Sequence, residues 1–221
     1  MVSCIFAIAG PSGSGKSAFA RRIQQYFREQ RPNLTVQIIA EDAYYHDQSH
    51  LGFEQRLRTN YDHPDAFEHE LLQRQLAALC RGKSVQLPEY DYAQHTRSPE
   101  TRMLAPADLL LVEGIMTLVN PQLRQLFDWR LFVDTPIDEC LRRRVERDCR
   151  ERGRSETSII KQYEATVLPM YHEFVAPSRE HADLVVAGSG TQEDALDAVL
   201  KQFSLMQEQP GAGHHQENRK S

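Results

Sequence analysis

Residues 2–17 read VSCIFAIAGPSGSGKS, and this run decides the fold. Its first eight residues are apolar or β-branched at nearly every position, as in a strand buried on both faces of a parallel sheet. The next eight, Gly10-Pro11-Ser12-Gly13-Ser14-Gly15-Lys16-Ser17, fit the G-x-x-x-x-G-K-[ST] loop, and residues 17–31 read as a helix. In such a loop the glycines let successive backbone N–H groups turn inward on a phosphate, and the positive end of the helix adds to the attraction. All eight residues are therefore expected to cradle a nucleotide. Lys16 would reach the β- and γ-phosphates, and the Ser17 hydroxyl would serve Mg²⁺.

Further buried strands are expected at 34–40 (LTVQIIA), 108–112 (DLLLV), 130–133 (RLFV) and 182–187 (ADLVVA), with helical periodicity in most connections. The alternation predicts an α/β fold, a five-stranded parallel sheet with helices on both faces joined by right-handed crossovers. A helix is expected from Asp65, with Asp65 and Glu68 spaced as a capping box and Gly82 as its stop. Residues 84–92 and 101–104 predict an antiparallel hairpin around a polar tip. Residues 41–63 are irregular, polar and aromatic, the profile of a functional connection. Residues 1–206 are expected to form one domain, and the polar stretch 207–221 a disordered tail in which His214 and His215 are inert.

Composition narrows the classes. The 221 residues carry 26 Lys and Arg against 31 Asp and Glu, a net −5, and no apolar run nears the ~18 residues that span a bilayer. A cytoplasmic protein with no membrane and no nucleic-acid partner is expected. Cysteines 4, 80, 140 and 149 have no CxxC pairing, so reduced thiols are expected rather than a disulfide framework or zinc site.

Strand 109–114 (LLLVEG) ends in Glu113, where a nucleotide-bound metal needs a carboxylate; it would touch the ion, hold one of its waters, or cap the strand. None of the asparagines at 33, 60, 120 and 218 precedes Lys, so the Asn-Lys-x-Asp guanine reader of a GTPase is missing. A kinase needs a base, an acceptor pocket and cations over the phosphoryl group. Asp42, just past the second strand at the carboxyl edge of the sheet, is the base candidate, with a turn role as the alternative. Asp62 suits a vicinal diol. Tyr90, Tyr92 and His95 suit a planar base or, equally, hairpin packing. Residues 141–154 hold seven arginines and three acids, and Arg143, Arg147, Arg150 and Arg154 recur at helical spacing. This segment reads as a solvated helix surface, an RNA-binding face or a lid closing over phosphates, and beside the loop at 10–17 the lid, at about 141–160, is preferred.

These segments together resemble the uridine kinase (uridine-cytidine kinase) family. The resemblance runs through EDAYYHDQSH (41–50), RTNYDHPDAF (58–67), LPEYDYAQHTR (87–97), LLLVEGI (109–115), LFVDTP (131–136), RRVERDCRERGR (143–154) and QYEATVLPM (162–170), covering most of residues 5–187. It implies a P-loop kinase fold with a hairpin substrate region and an arginine-rich helical lid. It also implies transfer of the γ-phosphate of ATP or GTP, with Mg²⁺, to the 5′-hydroxyl of uridine or cytidine. By position, Asp42, Lys16 and Arg147 would be catalytic, and Arg147 and Arg152 would reach donor phosphates. Ser17 and Glu113 would serve the metal. Tyr45, Tyr61, Asp62, Tyr90, Tyr92, His95, Arg144, Arg154 and Gln162 would join Asp42 around the nucleoside. A homotetramer is the family's common assembly. Val186-Ala187-Gly188-Ser189-Gly190 stands where the family often has a Pro-Arg-Gly-Gly-like turn near the donor base, which leaves ATP and GTP both open. Phosphoribulokinase-like and pantothenate-kinase-like enzymes, and a non-catalytic nucleotide-binding module, are the alternatives.

Overall fold

The computed structural model describes Val2 and residues 4–208. Among these described residues seven strands form: β1 Cys4–Ala9, β2 Val36–Ala40, β3 Val85–Asp91, β4 Thr96–Leu104, β5 Leu109–Gly114, β6 Trp129–Asp134 and β7 Leu184–Ala187. Five of them make a parallel sheet in the order β2-β5-β1-β6-β7, as expected, and β3 and β4 make a separate antiparallel hairpin. β1 and β5 lie at the centre and are buried at every position, which is why they read as unbroken apolar runs.

Alternate residues of β1 feed two cores. Ile5, Ala7 and Ala9 join Leu110, Val112, Leu72, Leu76 and Met116 on one face. Cys4, Phe6 and Ile8 join Phe19, Ile23, Phe27, Val199 and Phe203 on the other. The helices that cover these faces include α1 Lys16–Gln30, α2 His69–Cys80, and the last described helix, Glu193–Glu208.

Several boundaries differ from expectation. β2, β5 and β7 begin one or two residues later than expected and β6 one residue earlier, and an aspartate just ahead of each of β5, β6 and β7 bonds a neighbouring chain segment. Asp108 Oδ2 accepts from Thr35 N at 2.7 Å, Asp128 Oδ2 from Ile5 N at 2.8 Å, and Asp183 Oδ2 from Arg130 N at 2.9 Å. The capping box at Asp65 and Glu68 does not form. Pro64–Ala66 is a 3₁₀ turn in which the His63 ring accepts from Asp65 N, Phe67 is extended and bridges Tyr45, and α2 starts only at His69. Its end is as expected: Gly82, at φ +77°, closes it with Gly82 N bonding Leu79 O and Lys83 N bonding Ala78 O. The hairpin's second strand starts at Thr96, so the polar tip is shorter than expected.

The arginine-rich segment forms α3, Ile137–Arg152, ended by Gly153 at φ +63°, and then α4, Glu156–Gln162. Arg154 therefore falls outside the helical face on which its spacing had placed it. The chain continues helically to Ser178 through two π turns, Tyr163–Val167 and Tyr171–Val175. Each lies just ahead of a proline, Pro169 and Pro177, whose missing N–H and ring disturb the regular ladder. The expected tail loses Gln207 and Glu208 to the last helix; 209–221, with His214 and His215, lie outside the described residues.

Candidate active site

The carboxyl ends of β1, β2 and β5 converge on one edge of the sheet. From β1 the chain enters the glycine loop, where Gly10 (φ +147°) and Gly13 (φ +88°) take conformations that other residues rarely adopt. A side chain on Gly10 would run into the Val133 carbonyl at 2.5 Å, and one on Gly13 into the Cys140 carbonyl. The loop thus lies directly against β6 and α3. Thr135 Oγ1 donates to Ser14 O at 2.9 Å, and Arg143 Nη1 bridges Ser14 O at 3.3 Å and Gly188 O at 2.9 Å. Gly15 precedes α1 with no side-chain cap, so the first helical N–H groups remain for a ligand. The Ser14 hydroxyl is fully buried without a hydrogen bond. A glycine cradle with an orphaned donor beside a buried Lys16 fits a nucleotide phosphate.

Ser17 Oγ donates to Glu113 Oε1 at 2.9 Å, joining the start of α1 to the end of β5. Burial pushes the Glu113 carboxyl above its usual range, and Asp42 and Glu41 add to the shift while Lys16 and the Ser17 hydroxyl oppose it. Such a carboxylate gains from a cation beside it. Among the described residues no group of three or more His, Cys, Asp and Glu could hold a metal alone. One carboxylate and one hydroxyl suit Mg²⁺, which keeps waters and takes its other ligands from phosphate.

Asp42 sits on a 3₁₀ turn, Glu41–Tyr44, that follows β2 directly. Its Oδ2 accepts from the Tyr92 hydroxyl at 3.2 Å, and the Arg152 guanidinium lies 4.4 Å from the centre of the Tyr92 ring. The hairpin tip therefore leans over the base candidate, with an arginine stacked on it. Asp62 is buried 3.7 Å from Arg144 Nη1. Burial raises its carboxyl, Arg144 and Lys16 pull it down, and Asp42 and Asp148 push it up.

Around Asp42 and Asp62 stands an aromatic wall. Tyr45 stacks on Phe67 at 4.4 Å and meets Tyr90 at 5.0 Å and Tyr61 at 5.3 Å. Tyr61 faces the His95 ring at 5.6 Å, tilted by 35°. Tyr61 Oη donates to Arg56 O at 3.1 Å, which fixes the ring. Burial and the Arg154 and Arg152 charges lower the His95 pKa, so its ring stays neutral around pH 7.

The arginines are organised by a residue that their spacing does not point to. Asp148 is fully buried, and Arg147 Nε donates to its Oδ1 at 2.9 Å. Arg152 Nη1 lies 3.7 Å from the carboxylate, and Arg144 Nε and Arg154 Nη1 each lie 3.8 Å from it. Arg154 also bonds Gln162 Oε1 at 2.6 Å. Arg150, grouped with these by its spacing, instead pairs with exposed Glu151, and Arg143 with Glu139 and the glycine loop. Arg144 and Arg152 stand at i−4 and i+4 from Asp148, a spacing that permits the pairing without showing that Asp148 is the buried member.

The family model for Phosphoribulokinase / Uridine kinase family matches residues 5–194. A uridine kinase of Vibrio atlanticus (strain LGP32) is 48% identical over 197 residues, 89% of this chain and 92% of that one. One from Salmonella paratyphi B is 45% identical over 200 residues, 90% and 94% of the two chains. Among solved structures, a D-glycerate 3-kinase from Cryptococcus neoformans superposes with a TM-score of 0.60 at 15% identity, covering 84% of this chain and 86% of that one. A possible uridine kinase from Bacillus stearothermophilus does so with a TM-score of 0.58 at 22% identity, covering 84% and 89%. At these identities the structures speak for the fold.

Proposed function

The chain belongs to the phosphoribulokinase / uridine kinase family, and from that premise we propose that it is a uridine kinase, transferring the γ-phosphate of ATP or GTP to the 5′-hydroxyl of uridine or cytidine. The observation that carries the reading is the convergence, at one sheet edge, of Asp42, the Ser17–Glu113 pair and the Asp62–Arg144 pair.

In this mechanism Asp62 accepts the ribose hydroxyls and the wall of Tyr45, Tyr61, Tyr90 and His95 takes the pyrimidine, with Arg144, Arg154 and Gln162 completing the nucleoside site. Tyr92 orients Asp42 by its hydroxyl. Ser17 and Glu113 would hold Mg²⁺, which when bound neutralises charge on the donor phosphates. Asp42 takes the proton of the 5′-hydroxyl as that oxygen forms its bond to the γ-phosphorus and the bond to the β-γ bridging oxygen breaks. Lys16, Arg147 and Arg152 balance the charge on the phosphoryl oxygens, and the α3–α4 segment acts as the lid that excludes water. The protein would work in the cytoplasm as a homotetramer; no helix among the described residues is long and apolar enough to cross a membrane.

Purified protein is to be incubated with Mg-ATP and, separately, uridine, cytidine, adenosine, ribulose 5-phosphate, pantothenate and D-glycerate. Turnover confined to the two pyrimidine nucleosides is expected. No turnover of either would sink the proposal.

A further inference from the structure

Asp42 owes its place to its neighbour. Glu41 is fully buried, with both carboxylate oxygens engaged. His69 Nε2 lies 2.9 Å from Glu41 Oε1, and Met116 N donates to Oε2 at 2.8 Å. Behind His69, Asn120 Nδ2 lies 3.3 Å from Nδ1, while Asn120 Oδ1 accepts from Leu123 N at 2.9 Å. The direction of every bond follows. With Asn120 Oδ1 held by an N–H, its amide nitrogen must donate, so His69 Nδ1 accepts, Nε2 carries the proton, and Glu41 receives it as a carboxylate.

This chain joins three elements to the base-bearing turn: α2 through His69, the segment after β5 through Met116, and the short helix Pro121–Arg124 through Asn120. Glu41 also lies over Gly114, where any side chain would strike its carboxylate, one residue beyond Glu113; Ala40 pairs with Glu113 in the sheet. At the other end of the turn, fully buried Tyr44 donates to Gln75 Oε1 at 2.7 Å. The half-exposed Asp42 hangs between these two anchors.

We propose that Glu41, held by the His69–Asn120 relay and the Met116 N–H, is a positioning residue that fixes the Asp42 carboxylate relative to Glu113 and the glycine loop. The inference rests on Asp42 being the base. The Glu41→Gln change leaves one acceptor oxygen where two donors converge. Either the new amide opposes Met116 N–H, or His69 moves its proton to Nδ1 and opposes the Asn120 amide. Adding Asn120→Asp removes the conflict. The amide introduced at position 41 would donate to His69 Nε2, and His69 Nδ1–H would donate to the carboxylate introduced at position 120. The second oxygen of that carboxylate would still receive Leu123 N–H.

The test compares kcat with Mg-ATP and uridine, uridine affinity by calorimetry, and thermal midpoints for Glu41→Gln, for Glu41→Gln with Asn120→Asp, for Asp42→Asn, and for Glu41→Gln with Asp42→Asn. Glu41→Gln is expected to lower kcat roughly 10- to 100-fold, as small misplacements of reacting groups do, with uridine affinity held within about threefold. The Asn120→Asp addition should return kcat to within about threefold of the parent. In the Asp42→Asn background Glu41→Gln should cost nothing further. An unchanged kcat in Glu41→Gln, no recovery in the double variant, or an equal further loss on top of Asp42→Asn would each overturn the proposal. Near-normal turnover of Asp42→Asn itself would instead sink the base assignment on which it rests.

Discussion

Replacing Asp148 by Asn leaves the shape of the side chain and removes the one charge that four guanidiniums share. Unit charges 3.8 Å apart attract by roughly 4 kcal/mol at an effective dielectric of about 20. Four such partners would sum to far more than any single change costs, because desolvation and repulsion among the arginines offset most of it. Removing one member of a buried ion pair costs about 3–5 kcal/mol, and Asp148 fits that case, being fully buried with Arg147 bonded at 2.9 Å. In a chain of this length each kcal/mol moves the unfolding midpoint by roughly 2–4 °C, so Asp148→Asn should lower it by about 10 °C. Scanning calorimetry reads this directly. Kinetics should show KM rising for ATP and for uridine, since Arg147 and Arg152 on one side and Arg144 and Arg154 on the other lose their common anchor. Glu151→Gln serves as the contrast: its partner Arg150 is exposed, and the midpoint should move by no more than about 1 °C. A midpoint for Asp148→Asn within about 2 °C of the parent, with both KM values intact, would refute the view of Asp148 as the hub.

Asp62→Asn should raise the midpoint of the ligand-free protein at pH 7, because burial has raised the carboxyl's pKa and its ionised form is penalised in the folded state. Protonation restores the parent, so the gap should close as pH falls through that raised pKa; a gap that widens on acidification would reverse the sign and refute the cause. Asp62→Ala should weaken uridine binding and erase discrimination against 2′-deoxyuridine, measured as the ratio of the two kcat/KM values. Gly188→Ala would drive a methyl group into Thr135 Oγ1 and the Ser14 carbonyl, so KM for ATP should rise about tenfold while uridine affinity by calorimetry stays put. Glu113→Gln should shift the Mg²⁺ dependence of turnover to higher concentration; an unaltered Mg²⁺ titration would remove Glu113 from the metal site.

The sheet and the phosphate loop were legible because their signal is local. β1 and β5 are central strands, and centrality writes itself as an uninterrupted apolar run. The glycine loop is likewise a matter of backbone freedom at fixed spacing. The start of α2 was not legible, since Asp65 and Glu68 have capping spacing, and only the pairing of Phe67 with Tyr45, 22 positions away, holds the chain extended there. The arginine helix was half legible. Charge spacing showed that several guanidiniums gather, but not that Asp148 lies beneath them, because a periodic pattern does not tell which side of a charged helix is dry. Glu41 was hidden more deeply. Beside Asp42 it looks like one more surface acid, and its partners lie 28 and 75 residues further along the chain.

The two wide turns before Pro169 and Pro177 keep a long helix in phase with the body it lies on. Ile159, Tyr163, Val167 and Val175 are buried and recur at multiples of four residues. On a regular α-helix each step of four overshoots a full turn by about 40°, so the stripe would drift by about 160°, nearly to the opposite side. Each π turn takes in one more residue, worth about 100° of rotation, so the two together bring Val175 back to within about 40° of the line on which Ile159 lies. The segment thus behaves as a straightened spline. One apolar edge stays seated from Ile159 to Val175, and Gln162 near its front end holds Arg154 by their hydrogen bond.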